Sequence, residues 1–215
     1  MITIYGNNYS NTINGLTYSS VQNFSIYGFG GNDRLFGGNY NDFLYGGDGN
    51  DYLSSGAGND TLYGGAGSDT MFGGSGTDYL NGGIGNDYIN GGIGNDTVLG
   101  DAGSDILIGD YGNDYISGGS GNDDIYGGRG NDTLIGGTGY DIFTFVSGDG
   151  KDVIWDFTFD QDQIELHVSG VYDFSDVQWD AWQVGNDTVL AFGADTLTIK
   201  NTYADEFIAS DFLFV

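Results

Sequence analysis

A strict nine-residue period runs through residues 28–144 and limits the possible fold more than any other feature of the chain. Thirteen consecutive blocks follow one another there without an insertion or a deletion, the first of them beginning at Gly28. Glycine fills the first and fourth positions of every block except at Ser55 and Tyr40, and the eighth position is always apolar. Such regularity predicts one continuous body that grows block by block, rather than separate globular domains.

The sixth position of every block is an aspartate, and these side chains are the candidate metal ligands of the chain. They are Asp33, Asp42, Asp51, Asp60, Asp69, Asp78, Asp87, Asp96, Asp105, Asp114, Asp123, Asp132 and Asp141.

Each block predicts a turn followed by a short strand. The first six residues, such as 46–51, favour a turn because their glycines reach positive φ values at little cost. The last three, such as 52–54, favour a strand whose middle side chain points inward. The chain can keep every eighth-position side chain pointing inward if it coils so that two blocks form one turn. Successive turns then stack as parallel strands about 4.8 Å apart, which places the aspartates in two columns.

Charge makes such columns unstable without a counter-ion. The formal net charge is -27, and two carboxylates about 5 Å apart repel by roughly 3 kcal/mol at an effective dielectric of 20. A divalent cation between turns reverses the sign of this interaction. Oxygen ligands favour calcium, whereas zinc and copper prefer His or Cys, and the chain has one His and no Cys. The metal-free chain is expected to be disordered.

The blocks at 46–54 (GGDGNDYLS), 64–72 (GGAGSDTMF) and 127–135 (GGRGNDTLI) match the nonapeptide GGxGxDxUx. In this they resemble the RTX, or hemolysin-type, calcium-binding repeat family. The resemblance implies an all-β fold, a right-handed parallel β-roll with a β-rich C-terminal cap. It also implies calcium between adjacent turns, ligated by the aspartates and by loop carbonyls, with on the order of ten ions in the whole array.

Some blocks depart from the family pattern. Phe29 and Tyr40 replace glycines, and Asp101 and Asp110 replace second-position glycines, so the local backbone geometry is expected to differ at these places. Asparagine is frequent at the fifth position, as at Asn50. We expect it to shape the turn, because Asn tolerates positive φ.

The segments that flank the array are expected to cap it. Residues 1–27 are a degenerate start, with Asn11 and Phe24 at the aspartate position and Ile13 and Ile26 still at the apolar position. Terminal repeats are usually atypical, because they close a stack that would otherwise expose its core. We therefore expect an N-terminal cap that binds little metal.

Residues 145–215 lose the period and form the predicted C-terminal cap. Alternating apolar residues predict strands at 152–157, 163–166, 188–192 and 196–199. Turns are expected at Asn186-Asp187 and at 193–195, and Asp149, Asp152 and Asp156 are candidates for a last calcium site.

The C-terminal region is similar to the one that follows RTX arrays in secreted bacterial metalloproteases and lipases. Its last residues, 211–215, resemble the uncleaved signal read by type I (ABC) exporters, although they also suit a final strand. The N-terminus has no basic region followed by an apolar one, and no apolar run spans a membrane. We expect a secreted, extracellular bacterial protein without a Sec signal peptide.

The remaining function classes receive less support. Four basic residues argue against nucleic acid, which requires a basic surface. His167 is the only His, lacks a catalytic motif around it and is expected to have a surface or packing role, so no enzyme is predicted. An alternative is an extracellular binding module for a polysaccharide, a cell surface or ice. It would use an outward row that ordinary strand propensity also explains: Phe43, Thr61, Tyr79, Thr97, Tyr115 and Thr133.

Overall fold

Two parallel β-sheets face each other in the computed structural model, which describes residues 1–17, 22–171, 173, 176, 177 and 181–215. Sheet A contains the strands β1 (Ile2–Asn7), β3 (Phe24–Gly30), β5 (Phe43–Asp48), β7 (Thr61–Ala66), β9 (Tyr79–Ile84), β11 (Thr97–Ala102), β13 (Tyr115–Ser120), β15 (Thr133–Thr138), β17 (Lys151–Ile154), β21 (Asp195–Ile199), β20 (Asp187–Phe192) and β19 (Ala181–Val184), in this spatial order.

Sheet B contains β2 (Thr12–Asn14), β4 (Arg34–Gly38), β6 (Tyr52–Ala57), β8 (Thr70–Ser75), β10 (Tyr88–Ile93), β12 (Ile106–Tyr111), β14 (Asp124–Arg129), β16 (Ile142–Val146), β18 (Gln163–His167) and β22 (Phe212–Phe214). The chain alternates between the sheets along the array, so two blocks complete one turn of a β-roll, as the repeat predicts. Two short 3-10 helices lie at Gly15–Thr17 and Ala209–Asp211.

The strands are twice as long as the sequence predicts. Strand β5 begins at Phe43, in the last third of one block, and continues through Gly46 and Gly47 to Asp48 of the next. The predicted turn at 46–51 is therefore wrong in its first half. Gly47 pairs with Gly65 of the following turn despite its φ of 115°. Pairing between turns thus overrides the local turn preference of glycine.

The eighth-position side chains form the core. Each strand of the array contributes one of them, and all thirteen eighth-position residues, the first Leu35 and the last Phe143, are at most 2% exposed. They stack in register, as Leu44 does on Leu62 and Leu53 on Met71. The inward direction predicted for this position is confirmed.

The N-terminal segment continues both sheets. β1 pairs with β3, and β2 pairs with β4. Ile13 and Ile26 are buried at the apolar position, as predicted. Residues 19–21 of the degenerate block at 19–27 lie outside the described part of the chain.

The C-terminal segment adds strands of a different kind. The predicted strands at 163–166, 188–192 and 196–199 are present within β18, β20 and β21. The one at 152–157 is wrong in its second half, because β17 ends at Ile154 and Phe157 instead packs on Phe143 and Phe207. β19, β20 and β21 are antiparallel, and their turns fall near Asn186 and Ala194.

Residues 211–215 include the final strand, β22, which pairs in parallel with β18. The apolar end of the core is covered by a ring cluster of Phe143, Phe157, Phe159, Phe207 and Phe212. None of the helices in the described ranges is long and apolar enough to cross a membrane.

Candidate metal centre

The structure places the thirteen sixth-position aspartates in two columns, one along each side of the roll. The columns are held by hydrogen bonds between successive turns. The Asp51 N–H donates to Asp69 Oδ1 at 2.7 Å, and the Asp60 N–H donates to Asp78 Oδ1 at the same distance. One column contains Asp33, Asp51, Asp69, Asp87, Asp105, Asp123 and Asp141, and the other contains Asp42, Asp60, Asp78, Asp96, Asp114 and Asp132.

The second carboxylate oxygen of each aspartate has no hydrogen-bond partner. All thirteen Oδ2 atoms are buried and unpaired, and the residues that carry them are at most 3% exposed. A buried charged oxygen without a partner is costly, since desolvation is not offset by a hydrogen bond. Thirteen repetitions of the same unsatisfied atom therefore fit a positive ion beside the carboxylates of the columns.

First-position glycines leave a cradle beside these oxygens. A Cβ atom added to Gly73 would lie 2.7 Å from Asp78 Oδ2 and 2.5 Å from the Gly91 carbonyl oxygen of the next turn. The carboxylate and a backbone carbonyl thus converge on the space that glycine leaves open. An all-oxygen donor set of this kind fits calcium, which accepts six to eight oxygen ligands at irregular angles.

Ser55 is the only first-position residue of the array that has a side chain. Its hydroxyl donates to the Gly73 carbonyl oxygen at 2.7 Å, and it lowers the pKa of Asp60 against the larger effect of burial, which raises it. The cradle beside Asp60 therefore already contains a polar group.

The second and fourth positions bring loop carbonyls close to the next turn. Gly74 has a φ of 106° and Gly76 one of 140°, and both lie against the preceding turn. The residues that replace second-position glycines keep this left-handed conformation, with φ values of 81° at Phe29, 70° at Asp101 and 80° at Asp110. The departures from the repeat therefore leave the loop path unchanged at these positions, at the cost of backbone strain.

Burial raises the pKa of the column aspartates. The pKa reaches about 7 at Asp69, because burial is reinforced by the charges of Asp87 and Asp51 on either side. Backbone N–H donors lower these values and do not reverse the effect. The pKa of Asp78 and of Asp114 also rises to about 7, chiefly through burial. The mutual repulsion expected from the sequence is thus present along the columns.

Fifth-position asparagines do not act as predicted. Asn50 is not among the residues with positive φ. Its Oδ1 instead accepts the Ser68 N–H at 3.1 Å, and its own N–H donates to Asn32 Oδ1 at 3.1 Å. Asparagine therefore links one turn to the next along the exposed loop edge, because its short side chain reaches the backbone of the adjacent turn.

Both columns extend beyond the array, which the sequence reveals only in part. Asp152 Oδ1 accepts the Asp132 N–H at 2.9 Å, and Asp162 Oδ1 accepts the Asp141 N–H at 3.1 Å. Asp162 is missed by the nine-residue period because it follows Asp141 by 21 positions. The only signal is a local one, an aspartate two residues before the buried Ile164.

Of the three aspartates suggested as a last calcium site, two lie close together, since burial raises the pKa of Asp152 and the nearby charge of Asp149 raises it further, and Asp156 has a different role. Asp156 accepts the Gly136 and Gly137 N–H groups with its two oxygens, at 2.9 and 2.8 Å. Asp149 accepts the Val146 N–H at 2.6 Å. No group of three or more acidic or His side chains among the described residues converges as a metal site. Backbone carbonyls would therefore complete the ligand set of any ion in the columns.

His167 lies at the end of β18, away from the columns. Its Nε2 is 3.2 Å from Glu165 Oε1, and Glu165 also accepts the Thr144 hydroxyl at 3.2 Å. In this arrangement the hydroxyl contacts the acid rather than the imidazole. The Thr144 hydroxyl therefore lacks the contact by which a histidine activates a hydroxyl nucleophile.

Comparison with a solved structure agrees with the β-roll fold. The lipase in the crystal structure of extracellular lipase LipA from Serratia marcescens is 18% identical, with a TM-score of 0.53. That match covers 95% of this chain and 42% of the lipase, so the chain spans less than half of that protein. This likeness supports the β-roll fold.

A second solved structure is the AlgE6R3 subunit from the Azotobacter vinelandii mannuronan C5-epimerase. It is 26% identical and covers 61% of this chain and 80% of that one, with a TM-score of 0.28. No curated protein matches the chain. The RTX calcium-binding nonapeptide repeat matches in four copies, at residues 27–62, 51–80, 72–107 and 108–143. These matches cover more than half of the sequence, and the chain therefore belongs to the RTX calcium-binding nonapeptide repeat family.

Proposed function

We propose that this chain is a calcium-folded module of a secreted bacterial protein, whose aspartate columns bind calcium between adjacent turns. The thirteen buried, unpaired Oδ2 atoms carry this proposal. Most of them face a cradle with a carbonyl oxygen nearby, as Asp78 does beside Gly73 and Gly91, whereas the Ser55 side chain lies in the cradle beside Asp60. Calcium would supply the positive charge that these carboxylates lack. The chain's own residues orient the ligands, because every Oδ1 is fixed by a backbone N–H.

Coupled folding and binding follows from the same arrangement. Without calcium, the raised pKa values along the columns mean that ionised carboxylates oppose folding at neutral pH. With calcium, binding to the folded roll alone shifts the equilibrium toward the fold. The module would thus remain unfolded in cytosol, where free calcium is scarce, and fold outside the cell.

Circular dichroism with and without calcium tests this proposal. We expect the β signal of the purified chain to appear on calcium addition and to disappear on chelation. Metal analysis after equilibrium dialysis should find on the order of ten bound ions. Magnesium at the same concentration is the control, because it requires a strict octahedron and retains its waters. A chelated sample with its full β signal would overturn the proposal.

We also propose that residues 211–215 are read by a type I exporter before the chain folds. In the folded chain, β22 pairs with β18, and Phe212 packs on Phe207. Asp211 and Phe212 are buried in the folded chain, so their side chains are accessible to an exporter only in the unfolded chain, which agrees with folding after export. The chain's similarity to an extracellular lipase supports this reading.

Deletion of residues 211–215 separates export from folding. Secretion from a host that carries a type I exporter should be lost, while the purified deletion variant should still gain β structure with calcium. Asp205→Asn, an exposed charge change nearby, is the control. Normal secretion of the deletion variant would refute the signal role.

The described part of the chain supports a structural rather than a catalytic role for the module. The thirteen sixth-position aspartates lie in the columns, and His167 pairs with Glu165. We propose that any catalysis resides in another domain. Hydrolase activity of the isolated chain that disappears in His167→Ala would contradict this.

A further inference from the structure

Seven aromatic rings form a continuous surface on the outer face of sheet A, which we call the ring ladder. Tyr5, Tyr27, Tyr45 and Tyr63 lie in register on neighbouring strands. The complete ladder contains Tyr5, Tyr27, Phe29, Phe43, Tyr45, Tyr63 and Tyr79.

The rings contact one another along the roll. Tyr5 stacks on Tyr27 with ring centroids 5.5 Å apart, and Tyr27 contacts Phe43 at 5.5 Å. Phe43 then contacts Tyr63 at 5.8 Å, and Tyr63 contacts Tyr79 at 5.7 Å. The sequence singles out the row of Phe43, Thr61 and Tyr79, but the ladder follows the adjacent row of tyrosines as well.

The ladder is exposed even though its rings pack together. The exposed fractions are 66% for Tyr5, 46% for Phe29 and 38% for Tyr45. Cross-strand aromatic pairs stabilise a sheet, which explains ring contacts. It does not explain why Tyr5, Phe29 and Tyr45, on three successive strands, keep more than a third of their surface in solvent, since exposed apolar patches commonly mark binding sites. The other four rings of the ladder are half-buried.

The strands of the ring ladder carry little charge. The chain has a formal net charge of -27, yet Asp48 is the single charged residue within β1, β3, β5, β7 and β9. An anionic polymer would be repelled by the protein and finds no basic residue in these strands. A cationic polymer would bind the acidic loops in preference to this face. The ring ladder therefore favours a neutral partner.

We propose that the ring ladder binds a neutral polysaccharide chain that lies along the roll. Ring faces stack against the CH-bearing faces of pyranose sugars, while tyrosine hydroxyls and flanking groups such as Thr61 offer hydrogen bonds. The rungs repeat at the strand spacing of about 4.8 Å, so a polymer with a regular repeat meets equivalent contacts along its length. This site is separate from the calcium columns.

Binding of the calcium-loaded full chain to neutral polysaccharides tests the proposal. Depletion assays with insoluble cellulose, and affinity electrophoresis with soluble hydroxyethyl cellulose, starch and galactomannan, form the panel, with alginate as the anionic comparison. We expect binding to at least one neutral polymer and none to alginate. Tyr45→Ser should weaken it about tenfold, as expected for the loss of a stacked ring. Tyr45→Phe should largely retain it.

Tyr115→Ser is the matched control. Tyr115 lies on the same sheet face and is 42% exposed, close to the 38% of Tyr45, but it is outside the ladder. Its variant should bind like the unchanged chain. The dichroism signal and thermal midpoint in calcium verify that every variant is folded, and Tyr5→Ser at the end strand offers a milder change if Tyr45→Ser does not fold.

Three outcomes would overturn the proposal. They are a folded chain that binds none of the neutral polymers, equal losses for Tyr115→Ser and Tyr45→Ser, and ladder-dependent self-association without polymer binding in analytical ultracentrifugation. Because the calcium titration is read separately by dichroism, failure of calcium-driven folding is distinguishable from failure of polymer binding.

Discussion

Substitution of Asp69 by Asn in the middle of a column should change stability in opposite directions with and without calcium. The amide retains an Oδ1 that can accept the Asp51 N–H, now at 2.7 Å. It removes the charge shared with the buried Oδ2, which has no partner. The perturbation therefore tests the electrostatic role of the column with little change in side-chain size.

Without metal, the substitution should stabilise the fold. Burial, and then the charges of Asp87 and Asp51, raise the pKa of Asp69 from 3.8 to about 7. Well above pH 7, this difference corresponds to a ceiling of roughly 4 kcal/mol of destabilisation by the ionised carboxyl. Exposed loop residues such as Asn50 lie nearby, so solvent screening reduces the expected gain to about 2 kcal/mol.

With calcium, the same substitution should destabilise the fold. The Oδ2 atom would then be a charged ligand, and removing one partner of a buried charge pair costs about 3 kcal/mol. Asp69→Asn should thus move from a gain of about 2 to a loss of about 3 kcal/mol between the two conditions. A packing defect would instead change the free energy of unfolding in the same direction with and without calcium.

Far-UV dichroism provides both measurements. Urea unfolding gives the stability of the calcium-saturated chain, and refolding by an osmolyte such as TMAO gives that of the chelated chain. Asp205→Asn is the control, because this exposed residue lies in the C-terminal segment outside the columns. Equal signs in the two conditions, or the same reversal in Asp205→Asn, would refute the electrostatic account.

Other residues give independent tests. Gly73→Ser places a hydroxyl in the cradle of Asp78, as Ser55 does beside Asp60, so equilibrium dialysis should find one bound calcium ion fewer. Ser55→Gly should add one bound ion. Unchanged ion counts in both variants would contradict the role of the cradle in calcium binding. In chelator, the pKa of Asp78 is raised to about 7, so the folded chain binds protons more tightly than the unfolded one. Lowering the pH through 7 should therefore increase the β signal, and a decrease would contradict the sign. Leu80→Ala, at a position that is 0% exposed, should cost about 2–5 kcal/mol in calcium, measured by urea unfolding; Asn81→Ala on the outer face is its control.

Periodicity predicts the parts of this fold that repeat, because each block experiences the same neighbours. The inward direction of Leu44 and the column position of Asp51 follow from their phase alone. Strand length does not, since Gly47 favours a turn locally but pairs with Gly65 of the next turn in the roll. The role of Asn50 is also hidden, because its partner, Ser68, lies in another turn.

The cap is less predictable because its spacing is irregular. Asp152 and Asp162 follow their column neighbours by 20 and 21 residues rather than 18. The loops that precede them contain insertions, so no fixed period finds them. The early end of strand β17 is also hidden from the sequence, because Phe157 packs on Phe143 and Phe207 instead of continuing the strand.

The hydrogen bonds of the columns have a direction, and this explains why the two ends of the roll use different residues. Each aspartate N–H donates to the carboxylate of the following turn, as Asp33 does to Asp51 at 2.7 Å. The first turn therefore has to supply only an N–H, which any residue except proline provides. Asn11 and Phe24 fulfil this role, donating to Asp33 and Asp42 at 2.6 Å.

The last turn has to supply an acceptor, and a backbone N–H cannot replace it. The N–H groups of Asp132 and Asp141 would otherwise be buried without a partner, at a cost comparable to that of a lost hydrogen bond. Asp152 and Asp162 provide the acceptors. The direction of this repeated hydrogen bond thus explains why aspartate is lost at the N-terminal end of the columns. It also explains why aspartate is retained at the C-terminal end. The degenerate start of the array is consequently a complete cap for the columns, and the irregular C-terminal segment keeps aspartate wherever a column would otherwise end on an unpaired donor.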